Sequence, residues 1–258
     1  MQFGALIFMT ITLALSAQAT TYSKASLKGS YSFLTNLWTA NASTSEFAML
    51  GVLAFNGAGK VNGSYTSVTA GVTQTGTLAG TYTVSSNGTG TITFTTGSTA
   101  KFAIALDSPT TAGVAQGTQL LQINDTNSVI VSGTAVLQST TTETYSVASL
   151  KGNFGYQGSD WTADPTQNQD GELGVISFDG KGNFKVSETR MKGGVLESGS
   201  NTGTYTVNAD GSGTLTITKS GQTACVLNSV SAGQAGGLQC LDVDEGSNTI
   251  HSYIALKQ

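Results

Sequence analysis

The chain contains one histidine, His251, so any Ser-His-Asp or Cys-His arrangement has to run through that residue. A single imidazole also excludes a histidine metal cluster. Carboxylates offer the other chemistry. Asp160, Asp164, Asp170 and Glu172 form one group, and Asp242, Asp244 and Glu245 a second. Two carboxyls flanking a glycosidic bond can serve as general acid and as base or nucleophile. The plainer reading is that His251 is a half-exposed residue of the last strand and that the acids are solvated loop charges. On that reading no catalytic residue is assigned, and a hydrolase using these acids is the alternative. Asp179-Gly180-Lys181-Gly182-Asn183 has the outline of a calcium loop. It lacks the middle ligand and distal Glu of an EF-hand, so a hairpin turn is expected. Residues 242–248 offer carbonyls to a calcium ion, with solvated charges as the simpler view. No glycine cluster follows the phosphate-cradle spacing. No metal and no cofactor is expected.

The remaining candidates are aromatic. Trp38 and Trp161 each follow the first strand of one half of the chain, where a rim residue can stack on a sugar or cover a ligand. A Trp that plugs the end of a domain explains the placement as well. Tyr82 and Tyr205 also occur once per half and are candidates for lining an interior site, although with Tyr31, Phe33, Phe94, Phe154 and Tyr156 they read first as core. Rows of Thr (81, 83, 91, 93 and 95, then 204, 206, 214, 216 and 218) should face outward. Such rows can order water or meet a polysaccharide, although Thr on a solvent face is ordinary for a strand.

The elements that position these residues come from a duplication. A shift of 123 residues turns Ser26-Leu27-Lys28-Gly29 into Ser149-Leu150-Lys151-Gly152. It likewise turns Gly80-Thr81-Tyr82-Thr83-Val84 into Gly203-Thr204-Tyr205-Thr206-Val207. Agreement runs without gaps over about 75 positions, which marks two copies of one unit. Copy one spans 20–138, a Thr-rich linker 139–144, and copy two 145–258. Each reads as eight short strands, in copy one near 28–35, 47–56, 60–68, 75–85, 89–96, 100–107, 118–124 and 128–138. Asn56-Gly57, Asn87-Gly88, Asp179-Gly180 and Asp210-Gly211 are hairpin turns that need positive φ. The fold class is therefore all-β, two tandem eight-stranded antiparallel up-and-down barrels, with β-sandwiches as the alternative. Segment 48–55 is apolar on both faces, so its outer face should meet the other copy.

Charged residues make up 10% of the chain and the net charge is −4. With 11 Lys and Arg scattered along the sequence there is no basic face, which argues against nucleic acid and anionic membranes as partners. Residues 1–19 carry an apolar run too short to span a bilayer and end in Ala17-Gln18-Ala19, as a signal peptide does, although no Lys or Arg precedes the run. No later segment is apolar enough for a transmembrane helix. Export makes a Cys225–Cys240 disulfide the expectation, on neighbouring strands of one hairpin.

The patterns x-L-K-G-x-[YF]-x-[FY], G-V-x-x-F-[ND]-G-x-G and G-T-Y-T-V-x-x-[ND]-G-x-G-T-[IL]-T resemble a group of secreted bacterial Gly/Thr-rich β domains, mostly uncharacterised. The resemblance covers nearly all of the chain after residue 19, and its motifs are turns and core positions. In outline each unit is also similar to the calycin-like barrels (lipocalins, avidins and allene-oxide-cyclase-like barrels), which often bind small apolar molecules. The motifs speak for the fold and hardly for function; a complete fold pattern without a chemically competent cluster points to a non-enzymatic secreted, surface or periplasmic protein. Its partner would be a small apolar ligand or a polysaccharide, or its role a surface or matrix one. An outer-membrane barrel is a further alternative, and the oligomeric state stays open.

Overall fold

The computed structural model describes residues 21–38, 47–124, 130–139, 144–162, 170–218, 221–243 and 249–258, without the side chains of 38, 160–162 and 249. The expected leader and most of the linker lie outside the described residues. Two closed barrels follow one another. The first comprises β1 (Lys28–Trp38), β2 (Phe47–Asn56), β3 (Lys60–Thr69), β4 (Val72–Val84), β5 (Thr89–Thr96), β6 (Lys101–Leu106), β7 (Gly117–Gln122) and β8 (Ile130–Ser139). The second comprises β9 (Lys151–Thr162), β10 (Asp170–Asp179), β11 (Asn183–Lys192), β12 (Val195–Val207), β13 (Ser212–Ile217), β14 (Gly221–Asn228), β15 (Gly237–Asp242) and β16 (Thr249–Lys257). Each strand pairs antiparallel with the next, and the last pairs with the first. The barrels, not the sandwiches, are what the strands build.

The turns explain why the strands stop where they do. At Asn56-Gly57 the side-chain Oδ1 accepts from the amides of Ala58 (2.8 Å) and Lys60 (2.9 Å), while Gly57 takes a φ of 75°. Asp179 repeats this with Lys181 (2.7 Å) and Asn183 (3.0 Å). The bonds from Asn183 and Lys181 hold the Asp179 carboxyl down at about 2. Its oxygens cap their own turn, as the hairpin reading expects.

One end of each barrel is closed by a short 3-10 turn, Lys24–Ser26 in the first and Val147–Ser149 in the second. The Tyr82 hydroxyl donates to the carbonyls of Lys24 (3.0 Å) and Leu27 (2.8 Å), and Tyr205 does the same with Val147 and Leu150 (both 2.9 Å). Above this plug the first barrel is filled by aromatic rings. Tyr31 packs edge-on to Phe55 at 5.4 Å, and Phe55 to Tyr82 at 5.1 Å. Phe33, Met49, Phe94 and Leu120 enclose a void of only ≈ 10 Å³, and above them the open end is a wide, uncharged depression of ≈ 400 Å³ among Phe47, Met49, Tyr65, Ser67, Phe102 and Gln122. The second barrel is filled in the same way near its plug, by Phe154, Phe178, Phe184 and Tyr205.

The barrels meet wall to wall. Leu34, Leu50, Val52 and Val68 of the first pack on Val226, Leu241 and Ile250 of the second, which accounts for the doubly apolar segment 48–55. Gln239 is buried between them; its Oε1 accepts from the Ser32 hydroxyl (2.9 Å) and its Nε2 donates to Thr134 Oγ1 (3.0 Å).

Cys225 on β14 and Cys240 on β15 are direct cross-strand partners and are bonded, as expected. By register they occupy the places of Ile104 and Leu120, so the disulfide replaces an apolar contact of the first barrel. It closes a loop of 15 residues, worth about 3 kcal/mol by loop entropy. The double variant C225A/C240A should therefore lose about 3 kcal/mol of unfolding free energy. Urea denaturation of the two proteins checks this, and an unchanged midpoint would contradict it.

Candidate functional site

The open end of the second barrel departs from the first. Strand alternation sends Glu172 inward from β10, Glu188 and Arg190 from β11, Asp242 from β15, and His251 and Tyr253 from β16, all toward one cavity. Its volume is ≈ 90 Å³, several times the roughly 10–15 Å³ that a single water needs. Deeper walls are apolar, with Ile176, Phe184, Leu215 and Leu238 among them.

His251 is the hub. Its Nδ1 lies 3.4 Å from Asp242 Oδ2 and 3.0 Å from the Tyr253 hydroxyl, and its Nε2 lies 3.7 Å from Glu172 Oε1. Tyr253 donates its proton to Asp242 Oδ2 (2.7 Å), and the Thr223 hydroxyl donates to the other oxygen of Asp242. With the Tyr253 proton committed to Asp242, Nδ1 is the nitrogen that donates toward that pair. The tautomer assigned from this network leaves Nε2 facing Glu172. A second group stands beside it. Tyr156 donates to Glu188 Oε2 (2.9 Å), and Asn201 Nδ2 reaches Glu188 Oε1 (3.4 Å). Arg190 pairs with the buried Asp170 at 3.4 Å.

Electrostatics follow from burial. Glu172 is 9% exposed. Desolvation raises its carboxyl to about 7, His251 opposes that shift, and the neighbouring Glu188 adds to it. Burial, with Glu172 and Glu188 nearby, also pushes the Tyr156 hydroxyl up, so it remains a donor. Three carboxyls, Glu172, Glu188 and Asp242, line the cavity against one imidazole and one guanidinium that is itself paired with Asp170, which gives the cavity a negative bias. Among the described residues no group of three or more His, Cys, Asp or Glu is arranged to hold a metal ion.

Glycines make the room. A Cβ on Gly158 would sit 2.6 Å from Tyr253 Cδ1 and 3.1 Å from His251 Nε2, and one on Gly174 would sit 2.8 Å from Tyr156 Cε1. Gly158 pairs with Tyr253 where the first barrel pairs Thr35 with Gly133, so the bulk has changed sides across one strand pair. By the same register, Glu172, His251 and Tyr156 stand where the first barrel has Met49, Val131 and Phe33.

Several expectations are corrected here. His251 is not half-exposed but 4% exposed, because the phase of β16 turns Ile250 to the inter-barrel wall and His251 inward. Asp170 and Glu172 are buried strand residues, not solvated loop charges, because β10 begins at Asp170. Tyr82 and Tyr205 are core residues, as first read; they stand at the closed ends with their hydroxyls on plug carbonyls, and neither lines the cavity as a ligand contact would. Tyr156, expected as core, is a cavity wall. The backbone of Trp38 pairs with Ile130 and that of Trp161 with Ile250, at the open ends; their side chains lie outside the described residues, as do Asp164, Asp244 and Glu245 and the side chain of Asp160. Thr81, Thr83, Thr204 and Thr206 face solvent as expected.

The Glu172 shift makes stability depend on pH. Between its ordinary 4.5 and about 7 the folded chain keeps a proton that the unfolded chain releases, so stability falls as pH rises through that window. Glu172→Gln should therefore stabilise the protein at pH 8, by at most about 3 kcal/mol, and give no gain below pH 4.5. Denaturation at the two pH values measures this; an equal effect at both would contradict the shift.

Comparison with protein-family models gives no match, and comparison with curated protein sequences gives none either. Among solved structures the chain is similar to kievitone hydratase from Nectria haematococca, at 8% identity over 95% of each chain with a TM-score of 0.26. It is similar to a protein of unknown function from the DUF3598 family of Nostoc punctiforme, at 10% identity over 91% of this chain and 98% of that one, TM-score 0.27. It is also similar to a protein named AttH from Nitrosomonas europaea, at 8% identity over 98% and 99%, TM-score 0.29. Overlap this loose assigns neither family nor activity to the chain.

Proposed function

We propose that the second barrel is the binding half of a secreted protein and that the first is a solid support for it. The observation that carries this is the contrast between two barrels of one design. Inward positions that are Met49, Val131 and Phe33 in the filled barrel are Glu172, His251 and Tyr156 around a cavity in the other. Burying ionisable groups costs free energy, and a stability-driven core would replace them with apolar side chains. The ligand this cavity suits is small, neutral or cationic, with an apolar body for the deep wall and hydrogen-bonding atoms for the mouth. The negative bias disfavours anions. A rim position for Trp161 fits this reading, and the leader-like residues 1–19 and the disulfide fit export. The Thr rows interrupt any apolar belt on the outer walls, which speaks against a membrane-spanning barrel.

A second reading, general acid–base catalysis, is favoured by one feature: a carboxyl held near 7 faces an imidazole that is oriented by Asp242 and Tyr253. In that case Glu172 exchanges a proton with the bound molecule and His251 sets which of the pair carries it at rest. The acids of the second copy then act as an acid–base pair around His251.

Native mass spectrometry on the full chain purified from the cells that make it tests the binding reading. One small molecule per chain should be retained by the wild type and lost from E172M/H251V, which writes the filled barrel's residues into the hollow one. Retention by that variant, or a wild type that carries no ligand, would count against the reading. If the site is catalytic, turnover of the retained molecule by the wild type should show a midpoint near pH 7 that E172Q abolishes.

A further inference from the structure

The wall that joins the two barrels is made of different faces. The first barrel contributes the outer side of β1–β3, with Leu34, Leu50, Val52 and Val68; the second contributes the outer side of β14–β16, with Val226, Leu241 and Ile250. Because the two units are copies, each must also carry the face that its neighbour used. Strand register locates them. On the second barrel Leu50, Val52 and Val68 correspond to Leu173, Val175 and Met191 of β10 and β11. On the first barrel Leu241 and Ile250 correspond to Leu121 of β7 and Ile130 of β8.

Both of these faces are open. Leu50 is 1% exposed inside the joint, whereas its copy Leu173 is 62% exposed; Leu121 and Ile130 are exposed where Leu241 and Ile250 are buried. Ile254 and Leu256 widen the patch around Leu173, and Ile123 widens the one around Leu121. Most of the large apolar side chains exposed among the described residues fall on these two faces, Leu196 extending the first as the cross-strand partner of Met191; Val72 and Val195 stand instead beside the β3–β4 and β11–β12 turns. Exposed apolar patches of this kind mark docking surfaces, and a solvent wall otherwise carries Thr, as β4 and β12 do.

We propose that these faces dock on each other between copies of this chain. The Leu173 face of one chain seats on the Leu121 face of the next, repeating between molecules the joint already present within each. The interface is heterologous, so copies add head to tail in an open series or close into a ring. It is weaker than the internal joint. Gln119 stands where Gln239 does, but Ser32 and Thr134, which bond Gln239, are matched by Gly155 and Ile254 on the incoming face, so those hydrogen bonds have no counterpart.

Sedimentation velocity of the full chain, from micromolar to millimolar concentration, tests this. The wild type should gain mass with concentration. L173D and L121D each spoil one face at an exposed position and should each remain a single copy, with unchanged circular dichroism. Mixed together they should form a one-to-one pair that grows no further, since each supplies the face the other lacks. A wild type that stays a single copy throughout overturns the proposal. So does self-association surviving in either variant, which would mean that a face pairs with itself, and so does a mixture that fails to pair.

Discussion

Closing a barrel commits every second side chain of every strand to one interior. Once β16 bonds to β9, the register around the ring is fixed and no strand can slip without turning its whole inward row to solvent. The rest of this protein depends on that commitment. In β1–β8 the inward rows are mostly apolar and carry no charge, so closure packs the interior below an open, uncharged mouth. In β9–β16 the same rows bring together residues distant in the chain, Glu172 with His251 and Asp242, and closure holds them out of water. A carboxyl in that position finds its charged form disfavoured, and its shift toward neutrality follows from the wall that surrounds it.

The change from solid to hollow required few alterations. The plug, its tyrosine, the turns and the lower aromatic layer are shared between copies. The difference is concentrated at one end. There the bulk moves from Thr35 to Tyr253 across equivalent strand pairs, Met49 and Val131 give way to an acid and an imidazole, and a disulfide takes over from Ile104 and Leu120. The disulfide lies on two of the strands that flank the cavity, where fewer apolar contacts hold the wall. Polar atoms facing the cavity are tied into pairs, Tyr156 to Glu188 and Thr223 to Asp242, which limits the cost of burying them.

Much of the fold was legible in the residues. Asn-Gly and Asp-Gly turns and the 123-residue repeat placed the strands, and the doubly apolar segment 48–55 announced the joint between barrels. The site was not legible for a specific reason. His251 and Glu172 are far apart in sequence, and which face of β16 points inward is set by pairing with β9, not by any local pattern. Short strands near a mouth show too little alternation to fix their own phase. A signal was present in the repeat itself: Gly158 against Thr35 and Tyr253 against Gly133 are compensating size changes, and they become visible when the copies are compared by strand pair instead of by residue number. Tyr82 and Tyr205 drew attention because both copies keep them, but what they share is a plug contact.

The central claim is that the cavity of one barrel is lined by ionisable groups, while its copy is packed with apolar side chains below an uncharged mouth. A high-resolution crystal structure of the full chain tests this directly, by electron density inside each barrel. The account predicts ordered water or a bound molecule against Glu172, Asp242 and His251, and none among Phe33, Met49 and Phe94. Two equally packed interiors, or a Glu172 and His251 turned out to solvent, would contradict it.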